Sequence, residues 1–355
     1  MAELYNWSEI LTDLLKDRDL SVSQSTWVMR KIMSGEATPS QLAGFLIALR
    51  AKGESVDEVV GFRDAILEAA LPLPVNSAVL DIVGTGGDRF GTVNISTMAA
   101  LVAAASGIPV VKHGNRAASS ASGSSDVLSA LGLDLTLTPE QVAETLDQAG
   151  ITFAFASAFH PGFRHAGPTR AELGVPTVFN FLGPLCNPAR AEANAVGVAQ
   201  LDRVPLITGV FQTRGATALV FRGDDGLDEL TTTGHSRLWE VSRGDVHEHD
   251  LDPRDLGIPL SQIDDLLGGD PSHNADVVRR VLSGETGAVR DIVLLNAAAG
   301  MVAYRLFLDS AQVQRPIVTR LGEALADAAA AIDSGAASTV LRDWVSATQA
   351  FGGHA

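Results

Sequence analysis

Cysteine is nearly absent from this sequence, because Cys186 is the only one among 355 residues. A single cysteine excludes an internal disulfide and is typical of proteins kept in a reducing cytoplasm. The first residues, MAELYNWSEILTDLLKD, are acidic and amphipathic and lack the basic segment and apolar core of a signal peptide. We therefore expect a cytoplasmic protein, in which Cys186 is either a reactive thiol or, as is commoner, a small buried side chain.

Basic residues are also scarce. Lys and Arg total 26 against 42 Asp and Glu, which gives a formal net charge of −16. Such a surface repels nucleic acid and anionic membranes over most of its area, so we expect neither as a partner. The longest apolar stretches, Met98–Val111 and Ile292–Tyr304, fall short of the roughly 20 residues that span a bilayer. Any anionic ligand would need a local basic pocket or a metal ion.

The first 70 residues carry the signals of helices only. Three segments have the S/T-x-x-E/Q form of a capping box, and one set of residues forms an apolar helical face at i, i+3, i+4 and i+7. The boxes are Ser21–Gln24, Thr38–Gln41 and Ser55–Glu58, and the face is Leu42, Phe45, Leu46 and Leu49. LPLPVN at 71–76 then bars a helix with two prolines and predicts a linker.

Beyond the linker, short apolar runs alternate with loops and helical patterns. Strands are predicted at AVLDIV (78–83), IPVVKHG (108–114) and ITFAFAS (151–157). This alternation is typical of βαβ units and predicts an α/β fold: a small all-helical domain and a large α/β domain with a mostly parallel central sheet flanked by helices. Ligands bind such sheets at the carboxyl ends of the strands, where the loops after the first two strands would lie.

The first of these loops is GTGGDRFGTVNIST, residues 84–97. It lacks the lysine of a Walker loop and the third glycine of a dinucleotide fingerprint. Its glycines nevertheless let backbone N–H groups approach an anion, and Asn94, Ser96 and Thr97 stand where the next helix begins and offers free N–H groups. Alone, the loop is either a phosphate site or an ordinary strand-to-helix turn with a capping side chain.

The second loop, KHGNRAASSASGSSD at 112–126, is basic on an acidic chain. Lys112, His113 and Arg116 supply up to three positive charges, and several serines supply hydroxyl groups. Arg and Lys neutralise polyphosphate and hydroxyls complete its shell of contacts, so polyphosphate is the ligand that this pattern favours. The alternative is a solvated basic turn.

An acidic run and a single arginine complete the candidate residues. GDDGLDE places four carboxylates between Asp224 and Glu229; beside a polyphosphate it suits Mg²⁺, which prefers few carboxylates with water and phosphates. Taken alone, it is an acidic surface turn. Arg170, in GPTRAELG, stands between a proline and a helix start, where it can bind a carboxylate through two nitrogens or remain a surface arginine.

In order, the motifs resemble those of a known family. The chain has GTGGD…NIST, then KHGNRAASS, then HPGFRHAGPTRAELGVPTVFNFLGPLCNPAR, then DGLDE. These are similar to the motifs of the anthranilate phosphoribosyltransferases of tryptophan biosynthesis, over nearly the whole chain. The resemblance implies transfer of the 5-phosphoribosyl group from phosphoribosyl pyrophosphate to the amine of anthranilate. The products would be pyrophosphate and N-(5-phosphoribosyl)anthranilate, in the second step of tryptophan synthesis from chorismate.

The resemblance also implies a domain division, a metal and an assembly. Residues 1–72 would form the helical domain, with a returning segment at about 170–195. Residues 73–169 and 196–355 would form the α/β domain that binds phosphoribosyl pyrophosphate, in a fold related to nucleoside phosphorylases. The implied metal is Mg²⁺, about two ions per site, and the implied assembly is a homodimer through the helical domain.

Site residues are implied position by position. Residues that fall where the family binds phosphoribosyl pyrophosphate are Gly84, Gly87, Asp88, Thr92, Asn94, Ile95, Ser96, Thr97, Lys112, His113, Gly114, Asn115, Arg116, Ala117, Ala118, Ser119, Ser120 and Ser124. The anthranilate contacts match Gly84, Asn115 and Arg170, with His113 nearby, and the metal ligands match Ser96, Asp228 and Glu229.

Three positions depart from the family pattern. Ser157 stands where proline is usual, Ser125 where alanine is commoner, and His235 where proline or a small residue is commoner. None is among the implied ligands. The departures bear on loop shape and on the entry of anthranilate.

The implied reaction needs no general acid or base, since the aromatic amine of anthranilate is unprotonated at neutral pH. By analogy with glycosyl transfer, the leaving pyrophosphate gains charge and needs positive charge near it. Lys112, His113, Asn115 and Arg170 are therefore expected to act by electrostatics and positioning.

Two other functions are less favoured, because the chain is acidic, keeps the glycine loop and the acidic pair Asp228–Glu229, and has KHGNR with Gly114 in its second loop. A pyrimidine nucleoside phosphorylase of the related fold would need one phosphate site and a base-recognition site. A nucleic-acid-binding protein on the same scaffold should be basic and should have lost the glycine loop or the acidic pair.

Overall fold

The computed structural model describes residues 5–116 and 121–352. Its helices are α1 Trp7–Leu14, α2 Val22–Met33, α3 Pro39–Lys52, α4 Val56–Ala69, α5 Ile95–Ala105, α6 Ser124–Leu131, α7 Pro139–Ala149, α8 Ala156–Phe159, α9 Gly167–Leu173, α10 Val204–Arg214, α11 Pro271–Leu282, α12 Ala288–Leu308, α13 Ile317–Asp333 and α14 Ala336–Gly352. Its strands are β1 Leu80–Gly84, β2 Val110–Gly114, β3 Ile151–Phe155, β4 Ala193–Gly197, β5 Thr217–Gly223, β6 Ser236–Ser242 and β7 Asp245–Leu251.

Helices α2, α3 and α4 begin where their capping boxes predict. In α2, α3 and α4 the box is complete, with both reciprocal hydrogen bonds formed at Ser21, Thr38 and Ser55. The apolar face predicted in α3 is buried along its length. Residues 71–76, the predicted linker, form no helix or strand.

The sheet has seven strands in the order β3-β2-β1-β4-β5-β6-β7. The first five strands in this order run parallel, and β6 and β7 continue the sheet antiparallel. One face packs on an apolar core that includes α5, α12 and α13, and residues of the other face share a core with α2, α3 and α4. The predicted class, a small helical domain with a large α/β domain and a mostly parallel sheet, is confirmed.

The central helix α12 extends beyond the apolar stretch Ile292–Tyr304 at both ends. It has 21 residues, and its length and apolar character would suffice to cross a membrane. However, 72% of its most apolar window is buried inside the protein, where it packs on α5, α13 and β4. A helix that is apolar on all sides and enclosed by its own fold is a core helix. The apolar stretch at 292–304 is therefore the middle of a longer helix.

The proline-rich stretch after β3 packs on the helical core. It contains α8, α9 and short 3-10 helices, and its residues Val178, Phe181, Leu182 and Leu185 are buried in the same apolar cluster as α2–α4. Cys186 lies in this cluster, fully buried and free. Burial raises the pKa of its thiol to about 12, so Cys186 is a core side chain without reactive-thiol character.

Candidate active site

The strand order brings the acidic run onto the first glycine loop. β4 lies between β1 and β5, so the segment that leaves β5 crosses the end of β4 to reach β1. A Cβ at Gly84 would overlap the carboxylate of Asp228, and one at Gly197 would overlap the carbonyl oxygen of Asp228. The backbone N–H of Gly86 donates to Asp228 Oδ2 at 2.7 Å. Glycine at the ends of β1 and β4 therefore makes room for Asp228.

Asp228 and Glu229 are both buried, each 9% exposed. Burial raises the pKa of Asp228 to about 7, and the negative charge of Asp88 adds to this shift. Burial and repulsion from Asp228 raise the pKa of Glu229 well above its ordinary value, while Lys112 opposes the shift. Carboxylates shift in this way when they lose water and face other negative charges. The positive charge that the protein places near Asp228 and Glu229 is thus too small to stabilise both carboxylates in their ionised form.

Lys112 and Ser96 form the floor beneath this pair. The Lys112 ammonium donates to the carbonyl oxygen of Ile82 at 2.6 Å and to Ser96 Oγ at 3.1 Å, and the side chain is almost fully buried. Burial lowers the pKa of Lys112, and the neighbouring carboxylates act in the opposite direction. The place of Lys112 among the residues that bind phosphoribosyl pyrophosphate stays a prediction; in the structure its ammonium lies within hydrogen-bonding distance of Ser96.

The N-terminus of α5 meets a carboxylate of the protein. Asn94 is the N-cap residue but makes no capping bond through its side chain. The backbone N–H of Ser96 donates to Glu229, which brings the acidic run to the helix start. Thr97 Oγ1 is buried and has no hydrogen-bond partner among the described residues. The three implied metal ligands, Ser96, Asp228 and Glu229, are therefore neighbours.

These residues suit a divalent cation. No group of three or more His, Cys, Asp or Glu side chains within the described ranges is arranged to hold a metal by itself. Mg²⁺ needs no such group, because it is usually held by one or two carboxylates with waters and phosphate oxygens. Two buried carboxylates with raised pKa values and one hydroxyl are a donor set of that kind.

His113 is neutral and held in place. Its backbone N–H donates to buried Asp81 at 3.1 Å, and its ring Nδ1 lies 3.1 Å from the carbonyl oxygen of Gly183, which requires the Nδ1–H tautomer. Burial lowers the pKa of His113 to about 3, with His160 adding to the shift. Of the three side chains of the second loop that could be positive, His113 is therefore not charged near neutral pH. The reason is that β2 carries His113 into the protein interior.

An array of rings joins His113 to Arg170. The ring centroids of His113 and His160 are 5.3 Å apart, those of His160 and Phe163 5.4 Å, and those of Phe163 and Phe179 5.8 Å. The Arg170 guanidinium lies over the Phe179 ring, 5.0 Å from its centroid. Burial lowers the pKa of Arg170, and no carboxylate within the described part of the chain pairs with it. A half-buried, unpaired guanidinium beside aromatic rings suits an aromatic carboxylate.

The second loop is folded back at its ends. Ser124 Oγ donates to the carbonyl oxygen of Asn115 at 3.2 Å. Asn115 Oδ1 accepts from Ser157 Oγ at 3.0 Å and from the backbone N–H of Arg116 at 2.8 Å. Ser157, one of the three departures, therefore orients Asn115. Ala117, Ala118, Ser119 and Ser120 lie outside the described residues.

Of the other two departures, Ser125 joins these contacts through its backbone, because its N–H donates to the carbonyl oxygen of Asn115 at 3.3 Å. Ser125 is buried at the start of α6, and its hydroxyl has no partner in the described part of the chain. His235 is partly exposed, and its Nδ1 lies 2.6 Å from Asp250 Oδ1, a contact that raises the pKa of His235.

Comparisons with known proteins decide the family. Residues 8–70 match the helical bundle domain of a glycosyl transferase family, and residues 76–338 match its α/β domain. Over 98% of its length the chain is 70% identical to the whole of an anthranilate phosphoribosyltransferase from Leifsonia xyli. The chain belongs to the anthranilate phosphoribosyltransferase family.

Crystal structures of family members have the same fold. The enzyme from Thermus thermophilus superposes with a TM-score of 0.87 at 42% identity, covering 96% of this chain and 99% of that one. The Saccharomyces cerevisiae enzyme in complex with phosphoribosyl pyrophosphate and Mg superposes with a TM-score of 0.86 at 26% identity, covering 97% and 98% of the two chains.

Several residues that shape this site were missed by the sequence motifs. Asp81 is fully buried on β1 and accepts from Asn187 Nδ2 at 2.9 Å, and burial raises its pKa to about 6. Gly197 makes room for Asp228, and Asn296 of α12 bonds both backbone groups of Leu230, next to the acidic pair. A polar residue inside an apolar run was the available signal for Asp81 and Asn296. Gly197 had none beyond its place at a strand end.

Proposed function

We propose that this chain transfers the 5-phosphoribosyl group from phosphoribosyl pyrophosphate to the amine of anthranilate, releasing pyrophosphate. The observation that carries the proposal is the convergence of the glycine loop, the basic loop and the acidic pair on one sheet edge, in a chain 70% identical to a named relative over 98% of its length. The relatives' names state the acceptor, and the site has the groups that both substrates require.

Phosphoribosyl pyrophosphate lies, in this proposal, between the two loops at the ends of β1 and β2. Mg²⁺ would be held by Asp228, Glu229 and Ser96, about two ions per site. When bound, the ions neutralise negative charge on the pyrophosphate as it leaves. Lys112 orients Ser96 from beneath and adds its own positive charge to the same side of the site. The remaining contacts are the positions of the two loops that resemble the family's.

Anthranilate lies, in this proposal, along the ring array. Arg170 binds its carboxylate, and the aromatic ring packs near Phe179 and His160, whose side chains already stack with their neighbours. Neutral His113 neither repels Mg²⁺ nor protonates the amine of anthranilate. The amine must stay unprotonated to attack the sugar carbon. Asn115, with its carbonyl oxygen held by Ser157, turns its amide N–H₂ toward the acceptor, and Gly84 leaves room beside Asp228.

The residues supply positioning and electrostatics rather than proton transfer. Burial lowers the pKa of His113 to about 3 and that of His160 to about 4, so neither is charged near neutral pH. The catalytic contribution is then the alignment of amine, sugar carbon and leaving group, with charge placed where it develops. A nucleoside phosphorylase would have no use for two buried carboxylates that require a cation.

The decisive experiment follows the fluorescence of anthranilate in the presence of the protein, phosphoribosyl pyrophosphate and Mg²⁺. Loss of fluorescence that requires all three components supports the proposal. No loss of fluorescence, with phosphorolysis of uridine or thymidine instead, overturns it. Substituting Arg170→Ala should lower kcat/KM for anthranilate by about tenfold to a hundredfold and leave phosphoribosyl pyrophosphate binding unchanged, because a charged hydrogen bond is lost.

Arg164→Ala is the matched control, because Arg164 is an exposed arginine in the preceding turn. It should retain wild-type kinetics. Equal loss of affinity for both substrates in Arg170→Ala would contradict the carboxylate role.

We further propose a homodimer formed through the helical domain, taken as residues 1–72 with 170–195, the rest of the chain being the α/β domain. A concavity of about 1250 Å³ on α2 and α4 is lined by apolar residues such as Trp27, Met33 and Ala65, together with both acidic and basic side chains. A surface of mixed charge is suited to a second copy related by a two-fold axis. Light scattering should give twice 37.1 kDa; a monomer at micromolar concentration would contradict it.

The proposed location is the cytoplasm, since the only thiol is free and buried and no disulfide is needed. Recovery of the activity in the cytoplasmic fraction of the source cells is the test.

A further inference from the structure

A segment outside every sequence motif supports the first glycine loop. The backbone N–H of Val93 donates to the carbonyl oxygen of Leu266 at 3.0 Å, and that of Gly268 donates to the carbonyl oxygen of Gly91 at 2.9 Å. Thr92 and Leu267 form an antiparallel bridge between these two bonds. The second half of the glycine loop is therefore paired, residue by residue, with the chain just before α11.

Asn274 closes this pairing from the first turn of α11. It is 2% exposed. Its Oδ1 accepts from the backbone N–H of Gly269 at 2.8 Å, and its Nδ2 donates to Asn94 Oδ1 at 2.9 Å. A Cβ at Gly268 would come within 2.9 Å of both Asn274 Oδ1 and the Thr92 carbonyl oxygen, so the packing is tight.

Asn94 also forms a hydrogen bond to the second loop. Its Nδ2 donates to the carbonyl oxygen of Ser122 at 3.1 Å. One asparagine therefore ties the start of α5 to the returning end of the second loop, and Asn274 fixes which way its amide faces. If the amide of Asn94 turned over, it would lose the bond to Ser122.

We propose that Asn274 is a positioning residue for phosphoribosyl pyrophosphate: acting through Asn94, it holds the two loops at the separation that the ligand requires. The inference rests on the proposed function, because it assumes that the ligand lies between these loops. An asparagine is needed at 274, since the position requires one acceptor for Gly269 and one donor for Asn94. Aspartate keeps the acceptor and loses the donor.

The test compares Asn274→Asp with a control of similar burial. Asn194 is 4% exposed and donates from its amide to the carbonyl oxygens of Ala191 and Thr217, at the start of β4 and away from the loops. Asn194→Asp therefore makes the same chemical change in the same domain. Binding of phosphoribosyl pyrophosphate with Mg²⁺ is measured by calorimetry, and steady-state kinetics are measured on the full chain.

For Asn274→Asp we expect the Kd of phosphoribosyl pyrophosphate to rise about tenfold, the effect of one well-placed hydrogen bond. The KM for anthranilate at saturating phosphoribosyl pyrophosphate should change by less than about twofold, as for distant sites. Asn194→Asp should lower the melting temperature and leave that Kd unchanged. If Asn274→Asp fails to fold, the uncharged Asn274→Ser replaces it in each comparison.

A double-mutant cycle separates positioning from general stability. In an Asn94→Ala background, Asn274→Asp should change the Kd by less than about twofold, because its partner is already absent. A full effect in that background, or an equal effect from Asn194→Asp, would overturn the inference. The proposed function fails separately: the wild-type chain would then neither bind phosphoribosyl pyrophosphate nor consume anthranilate, whereas failure of the inference alone leaves an active wild type and an Asn274→Asp variant with unchanged Kd.

Discussion

The two halves of the acidic run GDDGLDE have the same charge and opposite environments. Asp224 is exposed. Asp225 stabilises the turn, because its carboxylate accepts from Thr231 Oγ1 and Thr233 Oγ1 at 2.6 Å each and from the N–H of Leu227. Asp228 and Glu229, three and four residues beyond Asp225, are buried near the glycine loop, and burial raises the pKa of each.

The difference shows that burial, not composition, separates the two carboxylates proposed to bind Mg²⁺ from the other two in the run. In the first half, hydroxyl groups and the backbone satisfy the carboxylate of Asp225. In the second half, the protein supplies two N–H donors and a buried lysine, and the carboxylates retain an unmet need for positive charge. Asp225 stabilises the turn, and the turn holds Asp228 and Glu229 beside the glycine loop.

Removing charge from the second half should have the largest effect. Asp228→Asn and Glu229→Gln keep the size and the acceptor oxygen but remove the charge that would hold Mg²⁺, so transfer should fall by about a hundredfold or more. The melting temperature without Mg²⁺ should stay the same or rise, because repulsion between buried carboxylates is relieved. Fluorescence rates over a Mg²⁺ titration and thermal melts provide the two measurements. Full activity in either variant would remove the distinction between the halves.

Removing the turn-forming carboxylate should have an intermediate effect. Asp225→Ala leaves two threonine hydroxyls and one backbone N–H without their acceptor, so the free energy of unfolding should fall by about 2 kcal/mol. Activity should fall less than in Asp228→Asn and should recover in part at higher Mg²⁺, because the acidic pair is displaced but present. Denaturant unfolding and Mg²⁺ titration measure both.

Asp224→Asn is the matched control in the same run and should have the smallest effect. Asp224 is exposed and, within the described ranges, acts only through a weak electrostatic attraction to His235, so its loss should change stability by less than about 0.5 kcal/mol. A loss of activity like that of Asp228→Asn would mean that the run acts through its total charge rather than through two buried members.

Features within a few residues of one another were predictable. The capping boxes at Ser21, Thr38 and Ser55 lie within single helical turns, and each formed as predicted. The alternation of apolar runs and helical patterns predicted the parallel sheet and, with it, the edge where both loops lie. The motifs also pointed to Asp228 and Glu229 as a pair within the acidic run.

Features that depend on distant contacts were not predictable. From the sequence, His113 was one of up to three possible positive charges. It is neutral because the fold buries it beside Gly183 and His160, which lie 70 and 47 positions further along the chain. Asn274 lies 180 residues from Asn94, its hydrogen-bond partner, and nothing near either residue indicates the contact. The full length of α12 could not be predicted from the apolar pattern either, because the residues at its two ends include charged side chains and are also helical.

By itself, the sequence determined the order of helices and strands, the family to which its motifs are similar, and the residue types available for a polyphosphate and a cation. Only the tertiary structure decided which of those residues are buried, which are uncharged and which form hydrogen bonds or ion pairs. The physical reason is that caps and periodic patterns act through neighbours in the chain, whereas pKa values and buried hydrogen bonds depend on groups brought together by the strand order.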